Sequence, residues 1–351
     1  MRPIYTGTWG KCHIQGIAAD EEKDFIYYSF TTKLVKARLS TGEIIGSVDG
    51  LLGHLGCIAF NHEDGRVYGS LEYKSDAIGK GILRALGSSD TVQDAFYIAI
   101  FDVDKIDRLD MDAERDGIMT AVYLKEVLDD YRGEGRNKAG ETVPHRYGCS
   151  GIDGTAFGPM PGDPDGRQYL FTCYGVYTDK ERDDNDHQVI LCYDIADWHR
   201  YERPLSQASM HTAGPDAPLK KLFLYTGNTV YGVQNLEYSP TDRAYLLAVY
   251  KGQKPEFPNY DLFAIDATKA PVLGKLRGPE EEGLQLSLAP MGAADERTGI
   301  RGWRFPHGST GLFACKNGDF LISEPHTAES GLCSYIFRYV RDEKRGFVLK
   351  G

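Results

Sequence analysis

Four of the nine histidines, His13, His54, His145 and His307, stand at or just before a Gly-rich apolar stretch: KCHIQGIAAD, GHLGCIAFN, HRYGCSGIDG and HGSTGLFAC. Neutral imidazole nitrogen is the commonest protein ligand for transition metals, and amide or carboxylate oxygen suits harder ions. Together with Gln234 of YGVQNLEYSP, these side chains could hold a divalent metal ion or the acidic group of a substrate. The chain has no HxH or HExxH spacing, so such ligands would have to arrive from separate segments. The plainer reading is that each His caps a Gly-rich turn.

Carboxyl groups stand in comparable places. Glu72, Asp153 and Glu324 are the candidate acid/base residues, because hydrolysis or elimination needs one carboxyl protonated and one ionised. The plainer role for Glu72 is an ion pair with Lys74, Lys80 or Arg84. Arg146, Lys251 and Lys74 could fix an anion, and Gln15 could bond a hydroxyl. Tyr174, Tyr177 and Tyr250 could stack on the apolar side of a pyranose. Tyr27, Tyr28 and Tyr68 lie mid-run and read as packing.

Other signals are weaker. GLLGHLG lacks the spacing of a dinucleotide fingerprint. ERDDNDHQ lacks the Gly and distal Glu of a calcium loop and reads as a solvated loop tip. Cys57 and Cys149 read as small apolar fillers rather than nucleophiles.

Residues so far apart in sequence can share a site only if the fold brings them together. The Gly-rich heads recur five times: HIQGIAAD, GHLGCIAFN, CSGIDGTAFGP, YGVQNLEYSP and HGSTGLFACKNGD. A second apolar run follows each head, as in DFIYYSF, GRVYGSLEY, RQYLFTCYGVY, RAYLLAVYKG and GDFLISE. A third run comes next (KLVKARLS, FYIAIFDVDKI, QVILCYDIADW, YDLFAIDATKA, CSYIFRYVRD), and a more polar fourth closes each unit. Short strands in fours, bounded by turn residues, make the sheet of a propeller blade.

The chain therefore resembles five-bladed β-propellers in architecture. That resemblance implies an all-β single domain with four antiparallel strands per blade. The blades are expected at about residues 11–50, 51–128, 149–226, 230–290 and 307–351, with the first ten residues packed across the seam. Loops at 74–95, 126–148, 178–187, 196–219 and 291–306 absorb the excess length. Short helices are expected in DAIGKGILRALG and TAVYLKEVLDDYRGEG.

In a propeller the heads line the axis. Aligning them puts Gln15, Gly56, Asp153, Gln234 and Thr310 at one level. Aligning the second runs puts Phe30, Glu72, Tyr174, Tyr250 and Pro325 at another. These levels would form an axial cup, the expected place for a site in a closed β structure. Five-bladed glycosidases use such a cup with acids from separate blades. This chain departs from them in offering His13 and Gln15 where the first blade would bring an Asp.

A net charge of −11 disfavours nucleic acid and anionic membrane as partners. Seven cysteines without CxxC spacing, behind a start with no apolar leader run, read as free thiols of a cytoplasmic protein. The leading expectation is an enzyme that hydrolyses or β-eliminates a small sugar or uronate. The alternative is a binding or scaffold propeller that presents loops 126–148 and 196–219.

Overall fold

The computed structural model describes residues 2–9, 12–329 and 331–351. Met1, Gly10 and Lys11, which belong to the expected seam segment and first blade, and Ser330 lie outside the described residues. The chain forms a five-bladed β-propeller. Blade one comprises Ile14–Asp20, Phe25–Phe30, Lys33–Arg38 and Ile44–Asp49; blade two His54–Asn61, Arg66–Tyr73, Ala95–Phe101 and Met119–Tyr123. Blade three holds Cys149–Pro159, Gln168–Val176, His187–Tyr193 and Lys220–Tyr225, and blade four Thr229–Ser239, Ala244–Lys251 and Leu262–Asp266. Leu312–Ala314, Phe320–Ala328 and Gly331–Asp342 build blade five, whose outer edge is shared.

The inner parts of the blades are buried on both faces, so strands there are apolar at most positions rather than alternating; in blade five the second half of Phe320–Ala328 and much of Gly331–Asp342 are more exposed. Ala95–Phe101 is buried at all seven residues. Five apolar clusters fill the five gaps between successive blades. Ile14, Ile17, Ile26 and Tyr28 of blade one, for example, pack on Phe313, Leu321 and Ile336 of blade five.

The ring closes through the N-terminus. Ile4–Thr8 runs antiparallel to the first half of Gly331–Asp342, with Ile4 opposite Ile336, while Gly346–Leu349 covers the second half. Buried Thr6 fastens the seam: its hydroxyl donates to the Ser334 carbonyl and accepts the Ser334 N–H, both at 3.1 Å.

Blade four departs from the expected four strands. The segment after Asp266 forms a hairpin, Val272–Lys275 with Glu282–Gln285, that reaches back to blade three, where Leu284 lies opposite Leu222 in a parallel pair. Leu276 joins the apolar cluster between blades two and three, and the Leu286 N–H donates to Phe223 O. Apolar contact with blade three thus outweighs completion of blade four, whose outer edge is met by isolated bridges, Leu262 to Trp303 and Ile265 to Leu288, and by bonds such as Ala289 N–H to Ala264 O.

Both expected helices form. Ala77–Leu86 starts where the Asp76 carboxylate accepts the Gly79 N–H at 2.9 Å, and it ends at Gly87 in the left-handed region. Lys125–Arg132 is the second. No helix among the described residues is long and apolar enough to cross a membrane.

The expected solvated tip at 181–188 is instead a buried polar knot. Arg182 forks onto Asp184 at 2.8 Å and donates to the carbonyls of Pro144 and His145. Lys254 from blade four reaches Asn185 and Asp186. Charges matched inside the loop let it leave the solvent and tie two blades together.

Candidate active site: an axial cup of two carboxyl groups

Each of the first four inner strands carries a bulge near its start. One extra residue interrupts the ladder at Gln15, within Gly56–Cys57, within Asp153–Gly154 and at Gln234. A bulge re-aims a side chain that regular pairing would send into the gap between blades. Here the bulges turn Gln15, Asp153 and Gln234 towards the axis, and the residue level read from the aligned heads coincides with them. All four polar residues at this level are buried, with 7% of Gln15, 8% of Asp153, 6% of Gln234 and 5% of Glu72 left exposed.

Glycine makes the cup possible. A side chain on Gly56 of blade two would collide with the Asp153 carboxylate, and one on Gly151 of blade three with that of Glu72. Each acid fills a notch left in the neighbouring blade. Asp153 accepts the Cys57 N–H at 3.3 Å and a hydrogen bond from Gln234. Glu72, opposite His54 in the ladder, accepts the Ile152 N–H at 3.1 Å and pairs with Lys74 at 2.5 Å. Lys74 also donates to Ser150 O at 2.8 Å.

The two acids differ electrostatically. Burial, then the negative charge of Glu72, holds Asp153 well above the usual carboxylate range, and the bonds from Cys57 and Gln234 offset only part of this. Its surroundings therefore favour the acid form of Asp153. Burial also raises Glu72, but Lys74 opposes the rise as counter-ion. On Lys74 burial acts downwards, and the Glu72 charge more than reverses it, so the ammonium is kept.

His54 has Nδ1 at 3.6 Å from Glu72, and burial, with the positive charge of Lys74 and His13 behind it, lowers its pKa to about 3. Burial lowers His13 as well, and His13 touches Gln15 at 3.5 Å. Both imidazoles are neutral and able to accept. Tyr250 hydrogen-bonds Ser309 and lies edge-on to Tyr231. The cup thus gathers His13, Gln15, His54, Glu72, Lys74, Asp153, Gln234 and Tyr250.

The remaining expected residues lie elsewhere. Tyr174 is sealed between blades two and three with its hydroxyl on Asp130 at 2.7 Å, because its strand position faces the neighbouring blade. Glu324 sits on the face towards blade four and accepts from Tyr339. His307 lines an outward groove with Trp303, Phe305 and Tyr339. Arg146 is exposed and bound to Glu281. Lys251 is exposed beside Asp261, on the strand face opposite Tyr250. His145 and Tyr177 lie ring to ring, tilted by 48°; His145 bonds Tyr131 O and Tyr177 donates to Asp76 at 2.6 Å. The expected four-histidine set is therefore not one cluster, and among the described residues no three His, Cys, Asp or Glu side chains converge as a metal site.

Asn235 was missed in the sequence. It donates to Gln15 O at 2.8 Å and Ser309 O at 3.1 Å and accepts the Cys57 thiol, so it ties three inner strands and the turn before the fifth together at the hub. Its place directly after the bulge residue Gln234 is the only signal the sequence offered. Cys57 and Cys149 are buried fillers, and burial pushes the Cys57 thiol up to about 12. Loop 196–219 is engaged within the molecule: Tyr97 donates to His211 O at 2.6 Å, and Gln207 binds Gly50 O and Glu114.

No protein-family model matches the chain, and no curated protein matches it. Among solved structures it is similar to a GH43 beta 1,3 galactosidase bound to galactodeoxynojirimycin, at 11% identity over 99% of this chain and 98% of that one, with TM-score 0.45. It is also similar to a gluconolactonase of Xanthomonas campestris (11%, 99% and 78%, TM-score 0.35) and to the beta-propeller domain of Cps50 from Myceliophteria thermophila (10%, 92% and 82%, TM-score 0.36). These likenesses concern the course of the chain and carry nothing about the cup.

Proposed function

We propose that the axial cup is the active site of a carbohydrate-active enzyme that hydrolyses or β-eliminates at a small sugar or uronate. One observation carries the reading: two buried carboxyl groups from adjacent blades meet in one cup, one in an ion pair with Lys74 and one with no ion-pair partner among the described residues. Environments that separate two such acids assign them opposite tasks. Asp153, neutral, gives a proton to the departing oxygen. Glu72 receives the proton removed from water or from carbon. Gln15, Gln234 and the neutral imidazoles of His13 and His54 bond hydroxyls, and the Tyr250 ring offers a stacking face. No three His, Cys, Asp or Glu side chains converge here among the described residues, so a divalent ion would rest on the two imidazoles of His13 and His54 and the Gln234 amide oxygen, where it would add Lewis acidity.

Thermal-shift screening against a panel of neutral sugars and uronates, with elemental analysis of the purified protein, finds the ligand and any metal. Asp153→Asn and Glu72→Gln should then each lower turnover on that ligand by about 10²–10⁴. Near-wild-type turnover in both variants retires the assignment. A protein that shifts with no sugar and co-purifies with another protein is the scaffold instead.

A further inference from the structure

The opposite mouth of the channel holds a second, chemically different space. The lower ends of all five inner strands enclose a cavity of about 360 Å³. This is the size class of small-molecule sites, about 300–1,000 Å³. Ile17, Ala59, Phe60, Phe157 and Phe313 make the apolar part of its wall; Glu21, Glu63, His62 and Lys316 also line it, and Glu237 adds a third carboxyl group.

Glu237 accepts the Ala314 N–H at 2.9 Å, and among the described residues it has no cationic partner. The one lysine at this mouth is turned away: Lys316 pairs with Glu22 at 2.5 Å, on the outer rim. Glu21 is engaged as well, accepting the Lys316 backbone N–H at 2.7 Å. A carboxylate facing apolar walls without a counter-ion is costly, and the cost is relieved when it is protonated or when a cation enters. Burial does push the Glu237 pKa up to about 8.

Three features select the occupant. The negative rim of Glu21, Glu63 and Glu237 disfavours an anion. A bare metal ion would lack ligands, because no three suitable side chains converge among the described residues. The rings of Phe60, Phe157 and Phe313 suit a cation that carries hydrocarbon. We infer that the lower mouth binds a small organic ammonium ion, its nitrogen on Glu237 and its hydrocarbon body against the phenylalanines. The site is independent of the upper cup.

The test titrates the full chain with cyclohexylammonium and, separately, with cyclohexanol, which has the same shape without the charge. Heats are read by calorimetry and contacts by NMR shifts. Saturable binding of the amine, at least about tenfold tighter than the alcohol, is expected, because a hydrogen bond to a charged partner outweighs a neutral one. Glu237→Gln should weaken the amine by about the same factor. Ala59→Leu, which narrows the mouth without touching the charge, should weaken amine and alcohol together. Glu72→Gln should leave amine binding unchanged, which separates this mouth from the upper cup. Equal affinity for amine and alcohol, an unchanged Glu237→Gln, or loss of binding in Glu72→Gln overturns the inference.

Discussion

The carboxylate of Glu72 occupies the space that a side chain on Gly151 would fill, and the N–H of the next residue, Ile152, donates to it. Gly56 and Asp153 repeat the relationship in the reverse direction between the same two blades. Two acids thereby enter one cup, each held by the backbone opposite.

Gly151 is the sensitive point of this interlock. Its φ is 124°, a conformation that costs other residues about 1–3 kcal/mol even before any clash. Gly151→Ala should lower unfolding stability by at least that amount in denaturant titrations. In the shortened double variant Gly151→Ala/Glu72→Ala, which removes the obstructing carboxylate, part of the loss should return.

Lys74 is buried with Glu72 at 2.5 Å. Lys74→Met should cost about 3–5 kcal/mol, because it strands a buried carboxylate. Adding Glu72→Gln should recover most of the loss. A double-mutant cycle in urea measures this coupling, and two additive effects would show that the pair does not act as a unit.

The pH profile of turnover should be set by Asp153. Its acid form is favoured by burial, so kcat/KM should fall on the alkaline side as pH rises through its elevated pKa. Asp153→Asn should abolish that limb along with most of the rate. His54, neutral down to about pH 3, should add no limb between about pH 5 and 9.

Glu237 should make stability itself depend on pH. Its folded pKa, about 8, lies above the ordinary 4.5, so the folded state binds this proton more tightly than the unfolded chain. That contribution is complete below the ordinary value and is lost as pH climbs towards about 8. Glu237→Gln should therefore melt with the wild type near about pH 4 and above it at about pH 8.5. Equal melting temperatures at both pH values would contradict the raised pKa.

The repeat was legible because a strand buried on both faces must be apolar and must stop at turn residues, and the chain shows that pattern five times. The head level Gln15, Gly56, Asp153 and Gln234 was legible for the same reason, since equivalent positions of equivalent blades share one height. Tyr174, Glu324, Lys251, Arg146 and His307 were not so readable. Near the mouth a shift of one residue turns a side chain from the axis into the gap between blades, and sequence alignment does not resolve that shift.

The sequence alone determined a ring of five similar sheets and the set of inner strands from which a site could be built. Hydrophobic period and turn chemistry are local properties, and they suffice for that. Only the tertiary structure decided that bulges aim Asp153 and Gln234 at the axis, that Lys74 makes its ion pair with Glu72, and that Glu237 faces a cavity with no ion-pair partner among the described residues. Those outcomes depend on burial and charge from neighbouring blades, distances that no stretch of sequence contains.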